Sequence, residues 1–228
     1  MTEHKSLDEI GNKYNGYYLE KGKEYKGGDK TSMGFGFTKR YDALLSPIRD
    51  DPINLLELGV LNGRSLAMWS DYFPKGQIYG IDINLVRYRK YGKPELVAIG
   101  AFENDNVQAF ECDVTEDNAF NKLFEETKEL QDSDNNPIEF DVIIDDANHN
   151  PTPQFTNFIS LFSRLKSGGV YIIEDLIKPV GVIDHFREIL IGVCNKKHKN
   201  VRTSQYSKII HNIESIEMRN YNLIFRKV

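Results

Sequence analysis

Short apolar runs alternate with amphipathic stretches along most of the chain. Ile53–Leu58, Gln77–Ile81, Val107–Cys112, Phe140–Ile144 and Gly169–Ile173 are rich in β-branched or aromatic residues and bounded by turn or charged residues, so each predicts a strand. The stretches between them have helical spacing. Gly63–Phe73 carries Leu66, Met68, Trp69 and Tyr72; Glu116–Leu130 carries Phe120, Leu123, Phe124 and Thr127; Pro153–Leu165 carries Phe155, Phe158, Ile159, Leu161, Phe162 and Leu165. Strand–helix alternation of this kind predicts a doubly wound α/β fold, with right-handed crossovers and a mostly parallel sheet covered by helices.

The two ends depart from the alternation. Ser6-Leu7-Asp8-Glu9 has the spacing of a capping box and predicts a short helix. Tyr14–Met33 is rich in Gly, Lys and Tyr and has no apolar period, which predicts a loop or lid that orders on ligand binding. A second helix is expected over Thr38–Leu45. Residues 1–50 therefore read as N-terminal helices with a lid-like insertion, and 51–228 as the main domain. After Pro179 a helix runs through Val182, Phe186, Ile189, Leu190 and Val193 to the basic patch Lys196–Lys199. Ile209–Met218 and Asn222–Val228 then alternate about Arg219-Asn220-Tyr221 and predict a C-terminal antiparallel hairpin. Such a hairpin sets this sheet apart from an all-parallel dinucleotide-binding sheet.

Composition narrows the class. The chain has 228 residues, 40% of them hydrophobic, and a net charge of −5. That apolar share is too high for a disordered chain, and the length suits one domain. No apolar run approaches the roughly 20 residues that span a bilayer, and Met1–Ile10 lacks the apolar core of a signal peptide. The negative balance disfavours binding nucleic acid by phosphate neutralisation. The basic residues Arg87, Arg89, Lys90 and Lys93 are local and read as solvated surface. Two cysteines, Cys112 and Cys194, build no disulfide framework and fit a reducing, cytoplasmic setting. No membrane or nucleic-acid partner is expected, and the sequence leaves room for a homo-oligomer.

The chemistry gathers at the strand ends. The first main strand runs into Leu56-Glu57-Leu58-Gly59-Val60-Leu61-Asn62-Gly63-Arg64-Ser65. The glycines let a ligand approach the backbone, and the next helix start presents free N–H groups. The spacing is not the G-x-G-x-x-G of dinucleotide binders, and Glu57 suits a cationic amine better than a pyrophosphate. Asp82 closes the second strand, where a carboxylate can bridge ribose hydroxyls, and Asp113 closes the third. Ligands of open α/β sheets bind along this carboxyl edge. Over Leu55–Glu174 these residues resemble the class I S-adenosylmethionine-dependent methyltransferases. The resemblance implies a seven-stranded sheet ending in an antiparallel hairpin. It also implies S-adenosylmethionine as cofactor, with Glu57 near the methionine amine, Gly59, Gly63 and Ser65 lining the ligand, Asp82 on the ribose and Asp113 beside the adenine.

A second group follows. The fourth strand ends in Asp145-Asp146-Ala147-Asn148-His149 and the fifth in Glu174-Asp175. Four carboxylates converging on one cleft would raise one another's pKa, and a hard divalent cation resolves the conflict. An unperturbed imidazole titrates near working pH, which makes His149 the natural general base. The string Ile144–His149, followed by Leu165–Asp175, resembles the metal-dependent sugar O-methyltransferases of macrolide biosynthesis, of the mycinamicin and macrocin type. Gly11–Tyr14, Asp29–Thr31 and Gly36–Thr38 with Tyr41 also look related, which makes Tyr17–Gly28 an insertion. This resemblance implies Mg²⁺ on Asp146, Glu174 and Asp175, His149 as base, and a carbohydrate or glycosylated small molecule as acceptor. Tyr14, Tyr17, Tyr18 and Tyr25 are candidates for stacking on a sugar ring. The departures are Ala147-Asn148 in place of Gly-Ser, and Phe35 where relatives carry a His. The competing reading is a metal-independent methyltransferase of another small molecule or of protein.

Overall fold

The computed structural model describes residues 4–20, 23–116, 118–197 and 199–228, with backbone alone for 17–20, 23–27 and Asn200. The strands are β1 (Gly16–Glu20), β2 (Lys23–Gly27), β3 (Asn54–Leu58), β4 (Gln77–Asp82), β5 (Val107–Glu111), β6 (Phe140–Asp145), β7 (Leu165–Ile173), β8 (Ile213–Arg219) and β9 (Asn222–Lys227). The helices are α1 (Leu7–Tyr14), α2 (Thr38–Leu45), α3 (Arg64–Tyr72), α4 (Lys93–Ala98), α5 (Ala119–Glu126), α6 (Pro151–Leu161), α7 (Pro179–Cys194), α8 (Lys199–Thr203) and α9 (Ser207–Asn212). Seven strands form one sheet in the order β5-β4-β3-β6-β7-β9-β8. β3, β6 and β7 run parallel, as do β4 and β5, whereas β9 is antiparallel to both β7 and β8. This is the α/β sheet with a C-terminal antiparallel hairpin that the alternation predicts.

The contacts of the chain divide into two units. In the unit of residues 1–54 and 60–111, α1 starts at the predicted capping box. Ser6 Oγ accepts from the Glu9 N–H at 3.3 Å and Glu9 Oε2 accepts from the Ser6 N–H at 2.8 Å. Tyr41, Trp69, Tyr72 and Phe73 form its aromatic core, with Tyr72 and Phe73 edge to face at 4.9 Å. In the unit of residues 55–59 and 112–228, Phe158 of α6 packs on Phe225 of β9 at 4.3 Å and on Tyr171 of β7 at 5.1 Å. Phe186 of α7 closes the cluster 5.2 Å from Phe158. Burying each such ring is worth about 1.5–3 kcal/mol, so this cluster fixes α6 against β7 and β9.

The structure corrects four local expectations. Tyr14–Met33 contains the antiparallel pair β1 and β2, registered from Gly16↔Gly27 to Glu20↔Lys23, rather than an irregular loop. Tyr14 is a fully buried α1 residue whose hydroxyl donates to Asp71 at 2.5 Å, so it is not a surface stacking residue. The side chains of Tyr17, Tyr18 and Tyr25 lie outside the described residues. Asp113 does not close a strand: β5 ends at Glu111, and Asp113 caps the following turn by accepting from the Thr115 N–H at 2.9 Å. Finally, Ser207–Asn212 is helical, so the hairpin begins at Ile213. Its turn has both Asn220 and Tyr221 at positive φ (47° and 62°), the backbone that a two-residue hairpin turn requires. No described helix is long and apolar enough to cross a membrane.

Candidate active site

In the unit of residues 1–54 and 60–111, the turn leaving Val60 is organised by Asp82. One of its oxygens accepts from the N–H groups of Val60 at 2.8 Å and Leu61 at 3.0 Å, and the other from the Asn84 N–H at 3.0 Å. Leu61 and Gly63 are left-handed, with φ of 52° and 83°. A Cβ on Gly63 would come within 2.4 Å of the Tyr88 ring, so a protein neighbour already demands the glycine. Arg64 follows it at the start of α3, 4% exposed. Its guanidinium donates to the Tyr14 carbonyl and, at 2.6 Å, to Glu95. Ser65 sits half-buried in the same first turn.

In the unit of residues 55–59 and 112–228, three strand ends are stitched together. The Asp146 N–H donates to the Leu58 carbonyl at 2.9 Å, and the Glu174 N–H to the Asp145 carbonyl at 2.9 Å. Glu57 is fully buried in β3, opposite Ile144. Gly59 has φ of 91°, and a Cβ there would stand 2.3 Å from the Asp146 carbonyl oxygen. The missing side chain is therefore what lets the Asp146 loop close over β3.

That stitching brings Asp146, His149 and Asp175 together. One ligand atom from each lies within 4.8 Å of the others. His149 Nε2 is 3.4 Å from Asp146 Oδ1, and its Nδ1 is 3.6 Å from Asp175 Oδ2. Asp175 has φ of 51°, a left-handed backbone that is uncommon outside glycine and turns the chain sharply after β7. Hydrogen bonding to Asp146 pushes the His149 imidazole up to about 9 against burial, with the charges of Asp146 and Asp175 adding to the effect. Glu174 is buried (1% exposed) and lies outside that group of three, although it adjoins Asp175 in sequence. Asp145 is equally buried; burial pushes its carboxyl up to about 7 against the pull of the Asn157 amide. Two carboxylates and an imidazole at this spacing fit a hard or borderline divalent cation.

Comparison with known proteins adds to this geometry. No protein-family model matches the chain. It is 31% identical over 155 residues to the 8-demethyl-8-(2-methoxy-alpha-L-rhamnosyl)-tetracenomycin-C 3'-O-methyltransferase of Streptomyces olivaceus, which covers 65% of this chain and 34% of that protein. It is 29% identical over 147 residues to the mycinamicin VI 2''-O-methyltransferase of Micromonospora griseorubida, covering 61% of this chain and 31% of that protein. The chain thus spans about a third of the length of these curated relatives. Among solved structures, the MycE methyltransferase of the mycinamycin biosynthetic pathway, in complex with Mg, SAH and mycinamycin VI, superposes with a TM-score of 0.69 at 20% identity, over 99% of this chain and 55% of that one. The chain has a methyltransferase fold.

Within this methyltransferase fold, two polar residues escaped the sequence reading. Gln154 and Asn157 are 1% and 0% exposed on α6. With Phe158 and Leu161 they make a buried stripe at i, i+3, i+4, i+7. The apolar pattern of Pro153–Leu165 singled out Phe155, Phe158, Ile159, Leu161, Phe162 and Leu165 and passed over the two amides. The available signal was two amides in the phase of Phe158 and Leu161, on a helix that starts right after His149.

Proposed function

We propose that this chain is an S-adenosylmethionine-dependent O-methyltransferase that methylates a sugar hydroxyl on a glycan or glycosylated small molecule, with a divalent cation, Mg²⁺, as cofactor. The observation that carries this reading is the convergence of Asp146, His149 and Asp175 at the ends of β6 and β7 in a chain with a methyltransferase fold. The similarity to two sugar O-methyltransferases supports the acceptor class.

Asp146 and Asp175, with the neighbouring Glu174, would hold the cation. When bound, it supplies positive charge that lowers the pKa of an acceptor hydroxyl. His149 would take the hydroxyl proton as general base, and bound S-adenosylmethionine would supply the electrophilic methyl on its sulfonium. Asp146 and Asp175 strengthen the hold of His149 on its proton. A cation that neutralised Asp146 and Asp175 would weaken that hold and free the imidazole to act as base. Glu57, Gly59, Gly63, Ser65, Asp82 and Asp113 are assigned to the cofactor, with Glu57 on the methionine amine and Asp82 on the ribose. Asp82 can serve two ends, because a carboxylate that orders a turn through backbone N–H groups retains lone pairs for hydroxyl donors.

The test is transfer of labelled methyl from S-adenosylmethionine to a panel of rhamnosides and related deoxyglycosides. Transfer should be lost in EDTA and restored by Mg²⁺. Transfer to a non-sugar acceptor, or transfer indifferent to chelator, would replace this reading with that of a metal-independent methyltransferase.

A further inference from the structure

The proposed metal and base residues sit on two separate loops, one after β6 and one after β7. Their relative placement needs a third element, and α6 supplies it. The Asn157 amide donates to Asp145 Oδ2 at 3.0 Å, and the Gln154 amide donates to the Glu174 backbone carbonyl at 2.9 Å. The two amides are one turn apart on the same buried face of α6, so one rigid helix reaches both strand ends at once. Asp145 Oδ1 accepts in turn from the Ala147 N–H at 3.4 Å, inside the loop that presents Asp146 and His149. The Gln154 bond holds the peptide that joins Glu174 to Asp175. Below them, the helix is anchored by Phe158 and Leu161, both fully buried.

An amide buried this deeply is costly unless it is bonded. An apolar side chain of the same size would fill either position beside Phe158 and Leu161, but it would leave Asp145 Oδ2 or the Glu174 carbonyl without this donor. Gln154 Oε1 and Asn157 Oδ1 are also buried without a hydrogen-bond partner among the described residues, a further cost that an apolar side chain would avoid. Two amides buried at that cost, each bonded to the terminal turn of a different strand that leads into proposed ligands, point to a task besides packing.

We propose that Gln154 and Asn157 are positioning residues that set the spacing of Asp146 and His149 relative to Glu174 and Asp175, so that the cation-binding geometry is built before the cation arrives. The inference rests on the proposed function above. Hydrogen-bond partners that orient metal ligands typically change metal affinity by about 10–100-fold when lost, and these two act through Asp145 and the Glu174 backbone, next to the ligands.

Mn²⁺ binding to the chain without methyl donor, followed by electron paramagnetic resonance, reads this directly and requires no turnover. Gln154→Met and Asn157→Leu keep the volume of each side chain and remove its hydrogen bonds. Each is expected to weaken Mn²⁺ binding by at least about tenfold while far-UV circular dichroism stays that of the parent. Phe158→Leu, on the same helix face, is the packing control. It should lower the melting temperature and leave Mn²⁺ affinity within about twofold of the parent. Parent-like Mn²⁺ affinity in a folded Gln154→Met chain overturns the inference and leaves the proposed function standing, and so does a tenfold loss in Phe158→Leu. Should Asn157→Leu fail to fold, Gln154→Met carries the test alone. Absence of Mn²⁺ binding in the parent overturns the proposed function, and this inference with it.

Discussion

His149 directs Nδ1 toward Asp175 at 3.6 Å, although the two residues lie on different loops 26 positions apart in sequence. The contact follows from the parallel pairing of β6 and β7, which sets Asp145 opposite Ile173. A residue four past the first strand end then faces one two past the second. The same register brings Asp146 to the other side of the imidazole, 3.4 Å away. Two carboxylates and an imidazole therefore share one neighbourhood, the arrangement on which the proposed function rests: a hydroxyl to be methylated must be both oriented and deprotonated.

His149→Ala should reduce turnover by about 10²–10⁴, the usual worth of a general base, with a smaller change in S-adenosylhomocysteine affinity. His149→Gln, which keeps a polar side chain but no basic nitrogen, should not restore it. Initial rates and an equilibrium titration with S-adenosylhomocysteine separate the two effects. A loss of turnover below tenfold would count against the base.

Cation binding should stabilise the fold through Asp146 and Asp175. A ligand at 100 times its dissociation constant adds about 2.7 kcal/mol, enough to raise the melting temperature by several degrees. Mg²⁺ or Mn²⁺ should therefore shift the parent upward and leave an Asp146→Ala, Asp175→Ala double variant unmoved. Equal shifts in both chains would mean that the ion sits elsewhere.

Gly59→Ala tests whether the turn glycine serves the metal loop. At φ of 91° an alanine is strained, and its Cβ would stand 2.3 Å from the Asp146 carbonyl oxygen. Backbone strain alone costs about 1–3 kcal/mol, and the Asp146 loop must move to relieve the clash. The variant should melt lower and bind Mn²⁺ more weakly. Gly168→Ala, also at positive φ (76°) but with no atom of the other described residues beyond its chain neighbours within 4 Å of the added Cβ, should lose stability and keep Mn²⁺ affinity.

Much of this was legible in the sequence because it depends on local pattern. The strand ends carrying Glu57, Asp82 and Asp146 follow from short apolar runs that stop at charged residues. The capping box at Ser6 and the hairpin turn at Asn220-Tyr221 follow from chemistry within four residues. What escaped depends on tertiary neighbours. Gly59 and Gly63 pointed to a ligand, and the sequence did not show that the carbonyl of Asp146 and the ring of Tyr88 also require them. Asp113 suggested a strand end, but its carboxylate closes a turn with Thr115. Tyr14 suggested a stacking surface, and its bond to Asp71 draws it into the core. Gln154 and Asn157 were passed over because a search for apolar period ignores a polar residue in the same phase.

Asp8 gives the N-terminal helix a pH dependence of calculable sign. Its carboxylate accepts from the Ser32 N–H at 2.7 Å, the Ser32 hydroxyl at 2.6 Å, the Thr38 hydroxyl at 2.6 Å and the Asn12 amide at 3.0 Å. Partial burial pushes the carboxyl up, but these four bonds outweigh it and hold the pKa below the ordinary 3.8. A carboxylate with a depressed folded pKa contributes stability that is present above its unfolded pKa and lost as pH falls through the folded value. Asp8→Ala should therefore cost about 2 kcal/mol near neutral pH. That figure is well below the sum for four bonds to a charged acceptor, because the site is only partly shielded from water. The deficit relative to the parent should hold down to about pH 4 and shrink below it, as the parent's own carboxylate takes up its proton. Urea denaturation of both chains from pH 7 to pH 3 checks this; a difference that stays constant across the range would show that Asp8 acts through packing and not through its charge.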